Sequence, residues 1–226
     1  MKQTVSTSFM LLGILFNVCL IAANLLETKV IQAGPLSLTA GLMVFPVSYI
    51  INDCIVEVWG YRKTRLIIWT GFLMNFFVVA LGLIAVQLPA APYWEGEEGF
   101  NFVFGMAPRI VVASLTAFLA GSFLNAYVMS RMKLASDGKH FSLRAILSTV
   151  VGEGADSLIF FPIAFGGVIP VPELAKLMLA QVVLKTLYEV VALPLTIRVV
   201  RYVKRREETD VYDRNVSYGI FKIKEL

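Results

Sequence analysis

Six runs of about twenty mainly apolar residues fill this chain, and a lipid bilayer is the one solvent that accommodates so many of that length. They cover residues 8–26, 38–58, 66–88, 110–130, 144–165 and 174–199. Helix breakers part them: Gly34 and Pro35, then the stretches 60–65, 89–108, 136–138 and 166–172. Pro46, Pro162 and Pro194 fall inside runs, where a membrane helix absorbs them as kinks or unwound turns. Only 16% of residues are charged while 58% are hydrophobic, against about 25% charged in globular domains. The expectation is an all-α membrane protein of six transmembrane helices. It forms one domain over residues 1–226, with a tail over 200–226 and no soluble module. No small-residue cleavage signal stands out before Glu27, so the first run reads as a retained helix.

Lys and Arg place the loops. Arg62, Lys63 and Arg65 lie between the second and third runs, and Arg131, Lys133, Lys139 and Arg144 between the fourth and fifth. Arg198, Arg201, Lys204, Arg205 and Arg206 follow at the end of the sixth. The alternate connections offer Lys29, Arg109 and Lys176, and Glu95, Glu97 and Glu98 make the longest of them acidic. The bias toward positive inner loops puts both termini in the cytoplasm. Three runs precede the acidic connection and three follow it, so the halves enter the membrane in opposite senses, as in an inverted 3+3 repeat. The middle run of each half carries a carboxylate pair, Asp53/Glu57 and Glu153/Asp156. No residue-level repeat accompanies this symmetry, and six unrelated helices are the alternative.

Ionisable side chains inside such runs are costly. A charged Asp, Lys or Arg at mid-bilayer costs roughly 2.5–3.5 kcal/mol on the translocon-insertion scale. Asp53 and Glu57 share a helix face with Pro46 and Tyr49, Asp53 about 22 Å and Glu57 about 28 Å along the second run. Glu57 suits either an anchor snorkelling near Arg62 or a proton-coupling group. Glu153 and Asp156 lie about 14 and 18 Å along the fifth run, near the midplane. Gly152 and Gly154 flank Glu153 and admit either a neighbouring helix or a flat ligand to the backbone. The sixth run carries Gln181, Lys185, Tyr188 and Glu189 as a polar stripe. Lys185 is the base in mid-run, placed to pair with Glu189 or with a carboxylate opposite. Asn17 and Asn24 share a face of the first run, and Gly121 and Asn125 one of the fourth; interhelical hydrogen bonds commonly explain such residues. Asn24 also lies near Glu27 and the extracellular mouth. The candidate binding set is Asp53, Glu153, Asp156, Lys185, Glu189, Tyr49, Tyr188, Asn24 and Asn125. Glu57, Glu153 and Asp156 are the candidates for proton coupling.

Several chemistries find no residues here. The single histidine, His140, lies in a loop, which excludes a multi-histidine metal site. Ser157 beside Asp156 has no base to activate it, and no phosphate-cradling glycine loop is present. Cys19 and Cys54 sit inside apolar runs and suggest no disulfide framework. No catalytic residue, metal or cofactor is expected, and the chain is not expected to be an enzyme. Uphill transport would draw on an ion gradient, on trapping of the substrate, or on a separate motor. Carboxylates, amides, one Lys and the rings of Tyr49, Phe160, Phe161 and Tyr188 suit a flat polar heterocycle. A carboxylate accepts from the N–H edge of a guanine-like ring, and aromatic faces stack on it for roughly 1–3 kcal/mol each.

Phe45-Pro46-x-x-Tyr49-x-x-x-Asp53-x-x-x-Glu57-x-x-Gly60, Gly152-Glu153-x-x-Asp156-Ser157, Lys185-x-x-Tyr188-Glu189 and the tail's Asp210-Val211-Tyr212-Asp213 resemble the queuosine precursor transporter family, also described as vitamin uptake transporters. The likeness spans nearly the whole chain. It implies import of 7-cyano- or 7-aminomethyl-7-deazaguanine for tRNA modification, across a bacterial inner membrane or another prokaryotic plasma membrane. It also implies that Asp53, Glu57, Glu153, Asp156, Lys185 and Glu189 are the family's membrane-embedded polar positions. The alternative is a substrate-binding membrane subunit of an ATP-energised uptake system. The expected partners are the small base and the lipid bilayer, with no nucleic acid; small-residue faces at Gly71, Gly82 and Gly121 are compatible with a homodimer. The acidic stretch at residues 94–98 is expected to be a surface loop.

Overall fold

The structure, a computed structural model, describes residues 6–33, 36–105, 108–167 and 170–222. It begins with α1, Thr7–Leu26, whose N-terminus is capped by Ser6 Oγ accepting from the Phe9 amide at 3.2 Å. A short antiparallel hairpin follows, β1 Val30–Ala33 on β2 Leu36–Thr39 with Val30 opposite Thr39, and then a 3-10 turn, Ala40–Met43. The expected break at Gly34 and Pro35 lies outside the described residues. The long helices are α2 Phe45–Val86, α4 Pro108–Ala135, α5 Phe141–Phe165 and α6 Val171–Glu207, with a short α3, Glu97–Phe104, before α4. All long elements are helical, and the hairpin is an addition to the expected all-α plan.

Five helices are long and apolar enough to cross a membrane, and one of them, α2, folds back on itself, so that its two arms fall on the second and third apolar runs of the sequence. Side-chain contacts give the directions. The Phe9 ring meets Trp59 at 5.3 Å, and Ala23 clusters with Phe45 and Tyr49, so residues 45–59 run antiparallel to α1. Gly13 faces Ile67, Gly71 faces Phe16, and Asn24 donates to Asn75 at 2.8 Å, so residues 61–86 run parallel to α1. The chain therefore reverses at Gly60, which has φ +80° and ψ 174°, a region essentially reserved for glycine. The turn expected over residues 60–65 is confined to this corner, and Arg62, Lys63 and Arg65 begin the third span. The C-terminal tail completes the corner: Asp213 Oδ2 accepts from the Tyr61 amide at 2.9 Å, and the Val211 amide donates to the Val58 carbonyl at 3.1 Å.

Gly60→Ala should be costly on two counts. The backbone conformation alone costs roughly 1–3 kcal/mol for a residue with a Cβ. That Cβ would also stand 2.6 Å from Asp213 Oδ1 and 2.9 Å from Val211 Cγ1. We expect the thermal midpoint of the purified variant to fall by at least about 3 °C. An unchanged midpoint would show that the corner tolerates another geometry.

The remaining helices assemble around the α2 hairpin. α4 runs antiparallel to α1, with Phe118 near Phe16 and Ser114 bonded to Asn24. It runs parallel to residues 45–59, with Asn125 bonded to Asn52 and Lys133 bonded to the Glu57 carbonyl. α5 returns beside α4 with the backbones in contact, since a Cβ on Gly152 would meet Gly121 O at 2.9 Å and Asn125 Cβ at 2.8 Å. α6 packs on α5 through Lys185 and Glu153, and on residues 45–59 through Val200 and Val203 against Cys54 and Val58. Phe16, Leu20, Ile55, Ile68 and Met129 fill the centre, while Leu73, Phe77, Ile84, Leu158 and Val191 face outward. Apolar side chains on both the inside and the rim are what a helix bundle in lipid requires.

Two further expectations change. The sixth run continues as helix to Glu207, eight residues past 199, and carries Lys204, Arg205 and Arg206 with it. Long basic side chains reach water from a helix that has already left the membrane, so nothing forces the helix to stop there. The acidic stretch leads into α3, where Trp94 meets Phe100 edge-on, Phe100 lies against Phe104, and Phe104 is seated on Gly82.

Candidate functional site

Helical spacing puts Glu153 and Asp156 on one face of α5, and α6 runs past that face. Lys185 Nζ lies 2.7 Å from Glu153 Oε2, 3.8 Å from Asp156 Oδ2 and 3.9 Å from the centre of the Phe45 ring. Its ion-pair partners are thus carboxylates on a neighbouring helix. Glu27, just beyond α1, lies in the field of Lys185 and Asp156. Further along, Asp53 and Glu189 face each other across the 45–59 and α6 helices, with Thr149 beside Glu189 and Ser148 Oγ 3.4 Å from both Asp53 oxygens. Glu153 and Asp53 are both within reach of Glu189. One polar column therefore runs through the bundle from Glu27 to Asp53.

Part of this column is buried without hydrogen bonds. Tyr49 Oη, Asn52 Oδ1 and Ser157 Oγ have no partner among the described residues, and none of the three side chains is more than 3% exposed. Such a group costs about 1–3 kcal/mol when left unpaired, and native interiors avoid it. Tyr49 Oη and Asp156 meet across Gly121, where a Cβ would lie 2.6 Å from the hydroxyl and 3.1 Å from Asp156 Cβ. A hydroxyl donor, an amide and two carboxylates thus lie on facing helices beside the Phe45 and Tyr49 rings, whose centres are 5.6 Å apart. Asn125 joins the set by accepting from Asn52 Nδ2 at 2.8 Å.

Other candidates lie elsewhere. Tyr188 is 37% exposed at the margin of the α6 stripe. Asn24 is held by Asn75 and Ser114, a helix-to-helix junction, and Asn17 donates to Gly13 O on its own helix. Phe160 and Phe161 pack on each other and on Phe165 near the end of α5. Gly154 has open space beside it, whereas Gly152 packs against α4. Ser148 and Thr149 belong to the column without any sequence signal that marks them, and Phe45, which opens the family motif, belongs to it through its contact with Lys185. Phe45, Tyr49 and Asp53 follow one another at helical spacing.

Glu57 belongs to a separate ionic knot. Arg144 donates to both its oxygens, at 2.5 and 3.2 Å, and Lys204 donates to Oε1 at 2.7 Å. Lys133 donates to the Glu57 carbonyl at 2.5 Å and to Asp210 Oδ1 at 2.5 Å, and Lys204 lies 2.8 Å from the same Asp210 oxygen. Glu57 and Arg144 are each 1% exposed, so the carboxylate is enclosed by cations from α4, α5 and α6.

Asp210 lies beyond the last helix. Burial alone would raise its carboxyl, but hydrogen bonds from Lys133 and Lys204 outweigh that and hold it below its ordinary 3.8. A carboxyl lowered in the fold adds stability at pH above its ordinary value, and that stability is lost as pH falls through the lower folded value. Acidification below 3.8 should therefore loosen the tail. Amide exchange at Val211, whose N–H is bonded to Val58 O, should accelerate there, and Asp210→Asn should remove that step. A flat exchange profile in the unaltered protein would contradict it.

Residues 39–199 match the family described as "putative vitamin uptake transporter", a stretch that contains every ionisable residue of the column except Glu27. A "probable queuosine precursor transporter" of Bacillus subtilis (strain 168) is 25% identical over 177 residues, 77% of this chain and 76% of that protein. Another of that description, from Haemophilus influenzae (strain ATCC 51907 / DSM 11121 / KW20 / Rd), is 27% identical over 127 residues, 56% of this chain and 52% of that protein. No solved structure matches. Matched over most of its length, and built of helices long enough to span a bilayer, the chain is an integral membrane protein and belongs to this vitamin uptake transporter family.

Proposed function

We propose that the chain imports queuosine precursors, 7-cyano- or 7-aminomethyl-7-deazaguanine, using the buried polar column as the substrate path. The observation that carries this is the unpartnered, buried Tyr49 hydroxyl, which meets Asp156 across Gly121 on the helix face that also bears the Lys185–Glu153 ion pair. A base with an N–H edge and a ring carbonyl matches these groups. Glu153 and Asp156 accept from the N–H edge, while the Tyr49 hydroxyl and the Asn125 amide donate toward the carbonyl. The Phe45 and Tyr49 rings offer faces for stacking, and Lys185 offsets part of the negative charge. Both relatives bear the name of queuosine precursor transporters, which supports this substrate class.

An inverted 3+3 carrier is the architecture this reading adopts, and the helix directions are compatible with it, each of the first three apolar helices running opposite to the one three later. The Lys and Arg bias sets both termini in the cytoplasm and suits the bacterial inner membrane. A proton taken up by one of the column's carboxylates would permit the loaded carrier to reorient.

The test is a strain unable to make the precursor, supplied with it externally at low concentration, with and without this gene. Queuosine in tRNA should depend on the gene; equal modification in both strains would end the proposal. Uptake by the purified chain in proteoliposomes should need no partner, and strict dependence on an added ATPase would reassign it as the binding subunit of an energised system.

A further inference from the structure

After α6 the chain turns at Glu208 (φ +48°) and folds back across one end of the bundle. Asp210 engages Lys133 of α4 and Lys204 of α6, while Tyr212 lies under Lys133 at 4.6 Å. The Val211 amide bonds to Val58, and Asp213 accepts from the Tyr61 amide at the Gly60 corner and from Ser130 of α4 at 2.5 Å. Arg65 then donates to the carbonyls of Ser217 and Gly219, at 3.2 and 2.8 Å, and Trp69 Nε1 to that of Ile220 at 2.8 Å. Fifteen residues, 208–222, thus bind the second and third spans of the first trio to α4 and α6 of the second. The knot lies directly beneath. Among the described residues, every ion pair joining one trio of spans to the other has Glu57 as its acid. The junction near the opposite end is a neutral hydrogen bond, Ser114 to Asn24 at 3.3 Å.

We propose that the tail is a latch on this end of the carrier, with Asp210 and Asp213 as the positioning residues that hold residues 45–59 against α4 and α6 and must release before this end can open. The proposal rests on reading the chain as a two-trio carrier. An end closed by buried ion pairs opens only if water reaches the freed charges, and the pairs nearest water part first. Asp210 is 44% exposed and Glu57 1%, so the tail's bonds are the ones that water can replace, and the knot follows. Lys133 and Lys204 serve both acids, which couples the two steps: cations released from Asp210 are free to follow Glu57.

Cys54 is a native reporter of that opening. It is 2% exposed, packed with Val58, Val200 and Val203 where residues 45–59 meet α6, one turn from Glu57. The experiment uses the full chain in detergent with Cys19→Ala, and a water-soluble methanethiosulfonate bearing an ammonium group. Modification of Cys54 should be slow in the parent, about tenfold faster in Asp210→Asn and in Asp213→Asn, and returned toward the parent rate by Asp210→Glu. A thiol placed by Ala23→Cys near the opposite end, in a chain also lacking Cys54, should keep its rate. Unchanged modification of Cys54 in both Asn variants would overturn the latch. Equal acceleration at position 23 would overturn it as well, by showing general loosening. Because the readout is a thiol, failure here is separate from failure of the proposed substrate.

Discussion

Glu57→Ala is expected to destabilise the purified protein by roughly 3–5 kcal/mol, the usual result of removing one partner from a buried ion pair. Arg144 loses both of its carboxylate acceptors at a site where it is 1% exposed. Its remaining bonds, to the carbonyls of Lys139 and Gly138, satisfy N–H groups but supply no opposite full charge. Lys204 suffers less, being partly exposed and still able to reach Asp210. For a chain of this size the thermal midpoint should fall by about 6–20 °C. Arg144→Met separates the stranded cation from the missing acid: if the stranded charge is the main cost, the double variant should be more stable than Glu57→Ala alone. A midpoint within about 2 °C of the parent in Glu57→Ala would show that the knot is solvated and contributes little.

The knot also shows where spacing along the chain stops being informative. Run length and breaker residues are local, and they located the long apolar helices, including the reversal of α2 at Gly60. The carboxylate faces are local too, because three- and four-residue steps return to one side of a helix. The partners of Glu57 are distant: Arg144 is 87 residues on and Lys204 147, and nothing near Glu57 in sequence suggests either above Arg62, five residues away. Asn75 was overlooked for a similar reason. Asn75 stands alone among apolar neighbours in the third run, with no second polar residue at helical spacing to mark its face, yet it is the residue that accepts from Asn24. Tyr188 is the opposite case. Lys185 and Glu189 stand about 40° apart around α6, and Tyr188 lies about 60° to the other side of Lys185, at the margin of the stripe, where its side chain is 37% exposed. The tight corner at Gly60 depends on a backbone conformation, and a glycine's presence announces a break without giving its length.

Glu153→Gln should reduce uptake by at least about 100-fold while leaving the protein inserted and folded. Glutamine has the same shape, so the close packing of α5 on α4 at Gly152 and Gly121 is kept. The change is in charge and in hydrogen-bond character. Lys185 loses its 2.7 Å partner and retains Asp156 at 3.8 Å and the Phe45 ring, enough to hold the ammonium but off its present position. More importantly, a carboxylate accepts two N–H bonds, whereas the amide offers one acceptor and turns donors toward the N–H edge of the base. One lost bond to a charged acceptor, roughly 1.5–3 kcal/mol, and a buried N–H of the base left facing a donor, roughly 1–3 kcal/mol more, amount to about two orders of magnitude or more in rate. Asp156→Asn should cost less, because that carboxylate is farther from Lys185 and its side chain is 13% exposed. The comparison is the initial rate of radiolabelled base uptake in cells matched for membrane content, alongside thermal midpoints of the purified variants. Uptake by Glu153→Gln within about threefold of the parent would remove Glu153 from the substrate path, since a loss below about 0.7 kcal/mol is too small for even one such bond. A protein that failed to insert would instead make Glu153 a structural acid, and the orphaned Tyr49 hydroxyl would then need a different ligand to explain it.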